Sequence, residues 1–468
     1  MSEEFDQFGP EANELVGKFD DMIRQNQMYF FDVEEFEEII DFYLERNIPK
    51  KARTAIDYAM RQHPSSSAFL LRKAQYYAGV NNNIKALEIL NKLEVLEVDN
   101  PDVLVTKAMI FSKLKKYSEA IKTYERAAEF ADDKDDIYTR IAFEYEELKE
   151  FDKAVNYLVK ALDYNPENQA VIYELAFCYE MAGREEDSVR FFEEFLDKYP
   201  YSDTAWFNLG IAWSNMQLYE KAIDAYEFTI AITPEFSSAY FNKANALANL
   251  GKFMEAIQYY QETLDMEDPD PLTHYYLGEC YEKMENYEKS YNHYKAALKM
   301  NPDMADAWMG LGIINDKTGN EKTALKQIKK SLELEKMNAD NWLYYADALF
   351  RYHKFDEAVK AYKKAVKADP NHPDLWLDYS SVYAESEDVD TAIDIIMQGI
   401  ALQNQNHELY YRFAGYLAKK GRLKEAYQNF ELALQINPFD HNLMFEYYPE
   451  LRGNINFINL VDTYKKES

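Results

Sequence analysis

Small and apolar side chains return along this chain at one fixed interval. Ala52, Ala86, Ala120, Ala154, Ser188, Ala222, Ala256, Ser290, Ala324, Ala358, Ala392 and Ala426 each stand 34 residues after the last, a period that marks a repeat array. Counting nineteen residues back from each gives units starting at 33, 67, 101, 135, 169, 203, 237, 271, 305, 339, 373 and 407, and twelve units of 34 residues fill 33–440 without insertion or deletion. Within a unit, apolar or small residues fall at positions 4, 8 and 11 and again at 20, 24 and 27. That i, i+4, i+7 recurrence puts each trio on one helical face, so each unit is predicted to be a pair of amphipathic helices. Gly183, Gly251, Gly319 and Gly421 occupy position 15, where a left-handed residue ends the first helix. Pro64, Pro166, Pro200, Pro234, Pro302, Pro370 and Pro438 occupy position 32 and end the second.

The clearest unit reads Trp206, Leu209, Gly210, Trp213, Ala222, Tyr226, Pro234. It resembles the tetratricopeptide repeat, with Trp in the slot usually held by Tyr. The resemblance covers all but the first 32 and last 28 residues. It implies an all-α fold: an α-solenoid, a right-handed superhelix of stacked helix pairs whose first helices line a concave groove. Asn315 departs from the aromatic pattern, and Lys336 and Asn404 replace the late proline, so those repeats are expected to pack less tightly. Small residues at position 8 (Gly210, Gly278, Gly312, Ala176, Ala244) let two helix backbones approach, and Trp206, Trp308, Trp342 and Trp376 at position 4 read as core wedges.

An array needs caps. Residues 1–32 are expected to form an acidic segment with a capping helix over 12–27, its stripe being Leu15, Val16, Phe19, Met22 and Ile23. Residues 441–468 are expected to form a degenerate terminal repeat, its first helix cut short at Pro449 and its last helix spanning 454–466.

Composition narrows the function classes. The first ten residues lack a basic n-region and an apolar h-region, and no stretch reaches the roughly 18 apolar residues of a membrane span. A soluble, cytoplasmic chain is expected. Cys178 and Cys280 share position 10 three repeats apart, and both read as buried reduced thiols. A net charge of −31, from 83 acidic and 52 basic residues, repels nucleic acid and acidic membranes. The charge is densest over 1–45, where Glu3, Glu4, Asp6, Glu11 and further acids face only Lys18 and Arg24.

No catalytic constellation is present in the sequence. The phosphate-cradling glycine loop is missing at Gly17-Lys18 and at Gly251-Lys252, and no metalloprotease, paired-cysteine or nucleophile-elbow motif occurs. The seven histidines lack metal-ligand spacing. The acidic run Asp132, Asp133, Asp135, Asp136 lacks the residues of a calcium loop and reads as a helix cap. No enzyme activity, cofactor or metal is expected.

The resemblance implies that positions 2, 5, 6, 9, 12 and 13 of each first helix face the groove. Position 5 then reads Tyr173, Phe207, Phe241, Tyr275, Met309, Leu343, Leu377 and Tyr411, an apolar line beside Asn208, Asn242, Asn245 and Asn249. An asparagine amide both donates and accepts, so it can hold an extended peptide's main chain. The expected site comprises Tyr173, Phe207, Phe241 and Tyr275 for contact area, Asn208, Asn242 and Asn245 for main chain, and Glu174, Glu279 and Glu282 for positive side chains. The expected function is a non-enzymatic scaffold whose groove binds a protein segment, neutral to basic with apolar anchors.

The family's carboxylate clamp for acidic chaperone tails is argued against. In repeats five to eleven, Glu180, Asp306, Asp316, Asp340, Asp347, Asp374, Asp378 and Glu385 also lie in the aligned groove set, opposed there only by Lys283, Lys317 and Arg351. Two alternatives belong to other classes. One is an acidic regulatory protein that masks a basic surface of an enzyme or nucleic-acid-binding protein through residues 1–45. The other is a regulatory subunit of a separate catalytic chain, or self-association through the terminal repeat.

Overall fold

The computed structural model describes residues 10–266 and 270–467, with side chains described within 13–464. Glu3, Glu4, Asp6 and the side chain of Glu11 lie outside the described residues. Among the described residues every regular element is helical, and no helix is long and apolar enough to cross a membrane. The chain forms two compact units, Met1–Ala239 and Tyr240–Ser468. Within each, helix pairs stack in chain order as an α-solenoid.

The sequence period sets the helix boundaries. Eleven of the twelve first helices start at position 1, as in Gln169–Met181 and Asp203–Asn215, and the exception starts two residues late at Leu375, after a turn through Pro373 and Asp374. All twelve second helices start at position 17, as in Glu185–Lys198 and Tyr219–Ile232. Many first helices open on a side-chain cap: Asn168 accepts from the Val171 amide, Ser202 from Ala205 and Asp270 from Thr273. The acidic run before repeat four does not cap its helix. Lys134 is the cap residue and makes no side-chain cap bond. Asp135 instead accepts from the Asn165 amide at 2.9 Å.

Position 15 is left-handed in every repeat. Beside the four glycines, Asn47, Asn81, Lys115, Lys149, Gln217, Glu285, His353 and Glu387 adopt positive φ. The amide of this residue and the next one close the helix end, as where Gly183 donates to the Glu180 carbonyl and Arg184 to the Tyr179 carbonyl. A side chain in this conformation costs about 1–2 kcal/mol, so eight repeats carry a local strain that four relieve with glycine.

Between the paired helices, position 24 fills the space that small residues leave. Tyr124, Phe192, Tyr226, Tyr260, Tyr294, Tyr362 and Phe430 are all fully or almost fully buried there. A Cβ added at Gly278 would lie 2.6 Å from the Tyr294 ring, and one at Gly312 2.5 Å from Ile328. The position-4 tryptophans do more than wedge. Trp206, Trp308 and Trp342 are only half-buried, and all four indole N–H groups donate to the position-32 carbonyl of the preceding repeat, on Pro200, Pro302, Lys336 and Pro370 at 2.8–2.9 Å. Lys336 thus replaces proline without loss, because the accepting group is main chain. Asn315 does not loosen its repeat either: it is buried, and its amide donates to the Leu311 carbonyl and the Gln327 side chain.

The ends are covered. Helix Pro10–Gln25 lays Val16, Phe19 and Met22 into the first repeat, with Phe19 6.2 Å from the Phe36 ring, while Leu15 is half-buried and Ile23 exposed. At the other end, Asn442–Tyr447, a 3-10 turn at Pro449–Gly453 and Ile455–Glu467 pack Phe445 and Phe457 onto Phe430.

Two substitutions test this packing by chemical denaturation. Gly278→Ala should destabilise by about 1–3 kcal/mol, since Tyr294 is buried and held through its hydroxyl to Glu282 at 2.9 Å. Lys149→Gly should stabilise by about 0.5–1 kcal/mol by removing the left-handed side chain. Unchanged stability in both would contradict the account.

Candidate functional site

Positions 2, 5, 6, 9, 12 and 13 of the first helices are the ones the family resemblance assigns to the groove, and the expected site residues fall four in the first unit and six in the second. In the first unit, Tyr173 on Gln169–Met181 is 41 % exposed and stands edge-on to Phe207 at 6.2 Å. Phe207 on Asp203–Asn215 is only 6 % exposed, because its ring packs on Phe236 at 4.9 Å and Tyr226 at 5.9 Å. Asn208 is 3 % exposed, and its amide donates to the Thr204 carbonyl at 2.8 Å. Phe207 therefore belongs mainly to the core, and Asn208 has part of its hydrogen-bonding capacity spent within its own helix. Tyr173, Phe177, Glu180, Asn208 and Asn215 line a cavity of about 190 Å³ between the two helices. Phe177, at position 9 and 45 % exposed, is the more available aromatic.

Glu174 is half-buried beside Glu146, which lies in the last turn of helix Asp135–Glu147. The Cys178 thiol donates to Glu146 Oε1 at 3.4 Å. Burial, and then the charge and hydrogen bond of Glu174, push the Glu146 carboxyl up to about 7. Burial and the neighbouring Glu146 also raise the Cys178 thiol. Ligand atoms of Glu146, Glu174 and Cys178 lie within 4.8 Å of one another, close enough to share a metal ion.

In the second unit, Phe241 is half-buried against Tyr260 and Tyr276, each at 5.8 Å, and Asn242 is half-buried. Asn245 already accepts from the Tyr260 hydroxyl at 2.5 Å. Tyr275 packs on Tyr294 at 5.8 Å. Glu282 accepts from the Tyr294 hydroxyl and lies 3.8 Å from Lys317. Glu279 is half-buried, its carboxyl raised first by burial, with Lys283 opposing and Glu282 and Asp306 adding. Asn245, Asn249, Phe253, Tyr276, Glu279 and Lys283 line a cavity of about 570 Å³.

Several carboxylates of the groove set serve the fold. Asp316 accepts from Tyr344, Tyr352 and Arg351, and Asp347 accepts from Tyr362. Asp378 is pushed up to about 7 by burial and by Asp347 and Asp374, with Arg412 and His372 opposing. Sequence reasoning passed over Phe177 and Tyr276, and it also missed Glu146 as the partner of Glu174. All three stand at positions 6, 9 or 12, so the slot pattern pointed to them, but nothing in it ranked them above Phe207 or Asn208.

Since Glu146 holds its proton more tightly folded than unfolded, its contribution to stability is present at acid pH and is lost as pH rises through about 7. Glu146→Gln keeps the donor to Glu174 and the acceptor for Cys178. It should stabilise the chain at pH 8 by on the order of 1 kcal/mol after allowance for solvent screening and flatten stability between pH 5 and pH 8. An unchanged pH profile would refute the shared-proton geometry.

Comparison with known proteins gives three family matches. The model described as "Cilia and flagella-associated protein 70 C-terminal domain" matches residues 236–443, and two models described as "Tetratricopeptide repeat" match 146–209 and 101–134. No curated protein matches the chain. Among solved structures, the hetero-tetramer of the anaphase-promoting complex, Cut9–Hcn1, is 14 % identical with a TM-score of 0.42, covering 84 % of this chain and 90 % of that one. YrrB, a TPR protein with an unusual peptide-binding site, is 18 % identical with a TM-score of 0.33, covering 39 % and 93 %. PilF of Pseudomonas aeruginosa is 19 % identical with a TM-score of 0.38, covering 43 % and 91 %.

Proposed function

Because the chain is a tetratricopeptide-repeat protein, whose fold is that of a protein–protein interaction scaffold, we propose that it is a non-enzymatic cytoplasmic scaffold binding an extended protein segment along its first-helix wall. The repeats over 33–440 serve as the binding array, with 1–32 and 441–468 as caps. The segment is neutral to basic with apolar anchors, and is neither nucleic acid nor the acidic tail of a chaperone. The two buried free thiols fit a reducing compartment.

One observation carries the reading. In each unit, half-buried carboxylates stand beside aromatic rings with no ion-pair partner among the described residues: Glu174 in the first, Glu279 in the second. An incoming lysine or arginine can pair with these carboxylates while the rings hold its methylene stem. Tyr173, Phe177 and Tyr276 supply contact area, Asn242 and the free amide donors of Asn245 hold main chain, and Glu282 adds negative potential near Glu279. Phe207, Phe241 and Tyr275 support the wall from behind.

Affinity capture from the source cell's lysate tests this with the intact chain and with Tyr173→Ala, Glu174→Gln, Phe177→Ala and Glu279→Gln combined, after both are found equally helical. A protein held by the first should lose at least ~10-fold in affinity for the second and weaken as salt rises. Equal retention by both chains would rule out the wall as the site.

A further inference from the structure

Against the acidity of the whole chain, the second helices of repeats nine and ten are basic. Glu321–Leu334 carries Lys322, Lys326, Lys329 and Lys330 against Glu321 and Glu333, and Phe355–Ala368 carries Lys360, Lys363, Lys364 and Lys367 against Asp356 and Glu357. Between them opens a cavity of about 390 Å³. Its rim is Lys329, Lys336, Lys364 and Lys367, all exposed, its floor is buried Leu332 with half-buried Trp342, and Met337, 64 % exposed, adds apolar surface at its edge. The Trp342 indole N–H donates to the Lys336 carbonyl at 2.9 Å, which fixes the ring in the floor. Among the described residues, none of the four rim lysines has an ion-pair partner, and Glu333 is the only acid lining the cavity.

We propose that this cavity docks an acidic protein segment carrying one apolar or aromatic anchor side chain, on a surface separate from the carboxylate-bearing first-helix wall. Charge complementarity selects the occupant. At physiological salt the screening length is about 8 Å, so a segment seated here meets the four lysines before it meets the acids elsewhere on the chain. The lysine stems extend the apolar floor while their ammonium groups stay in water. An anchor on Leu332, Met337 and Trp342 removes apolar surface from water, and flanking carboxylates reach the rim. An extended polyphosphate carries charge beyond the cavity onto a chain of net charge −31 and gains little from the floor.

The test is fluorescence anisotropy of a labelled synthetic peptide, glutamates flanking a single phenylalanine, titrated with the full chain. Saturable binding should weaken at least ~10-fold between low and high salt, and Lys329→Glu with Lys364→Glu should weaken it at least ~10-fold. Replacing the peptide's phenylalanine by serine should cost at least ~5-fold. Tyr173→Ala with Phe177→Ala should leave it unchanged, which separates this surface from the proposed groove. Both lysines are exposed, so the charge-reversed chain should keep its helicity, checked by circular dichroism. The proposal is overturned if the peptide does not saturate, if charge reversal or the serine peptide makes no difference, or if a twelve-nucleotide oligothymidylate binds more tightly.

Discussion

Everything in this molecule depends on the close approach of two helix backbones within each repeat. Alanine or serine at position 20, and alanine, serine or glycine at position 8 in every repeat but the first, where Ile40 stands, bring the helices together, and a large residue at position 24 closes the remaining space. In repeat eight the fit leaves no room for one carbon atom, since the Tyr294 ring occupies the place where a Gly278 Cβ would sit. Burying such a side chain contributes about 1.5–3 kcal/mol. The contribution recurs in each repeat, so the core grows by nearest-neighbour contacts as the array lengthens.

The turn between the paired helices works against that gain. A left-handed residue at position 15 is needed in every repeat to reverse the chain, and eight repeats supply it with a side chain present. The period tolerates the cost because packing at positions 20 and 24 over-determines the turn. The position-4 tryptophans act similarly between repeats: their indoles bind a main-chain carbonyl of the preceding unit, so the link survives where Lys336 stands in for proline.

The core also reaches into the wall on which binding is proposed. Tyr260, Tyr294 and Tyr362 are buried, yet their hydroxyls end on Asn245, Glu282 and Asp347, all at positions of the proposed groove. Those polar side chains satisfy buried donors, so substituting them alters stability along with any contact to a partner. The carboxylates that stay without an ion-pair partner beside aromatic rings, Glu174 and Glu279, are freer to serve recognition.

Spacing alone determined the helix pairs: all twelve second helices start at position 17, and the left-handed position 15 was legible from four glycines. That works because a helix's buried stripe and its breakers are local properties of the chain. What tertiary structure decided was which wall residues remain available. Phe207 and Phe177 are both aromatic and both assigned to the wall, yet neighbouring rings bury the first and leave the second exposed. Asn208 folds its amide back onto Thr204, Asn245 is taken by Tyr260, and Glu146 meets Glu174 from another repeat. The Asn208 bond lies within one helix, but each of the other outcomes depends on partners about 15 to 29 residues away in sequence that meet only once the helices stack, and a 34-residue period does not encode which of them will meet.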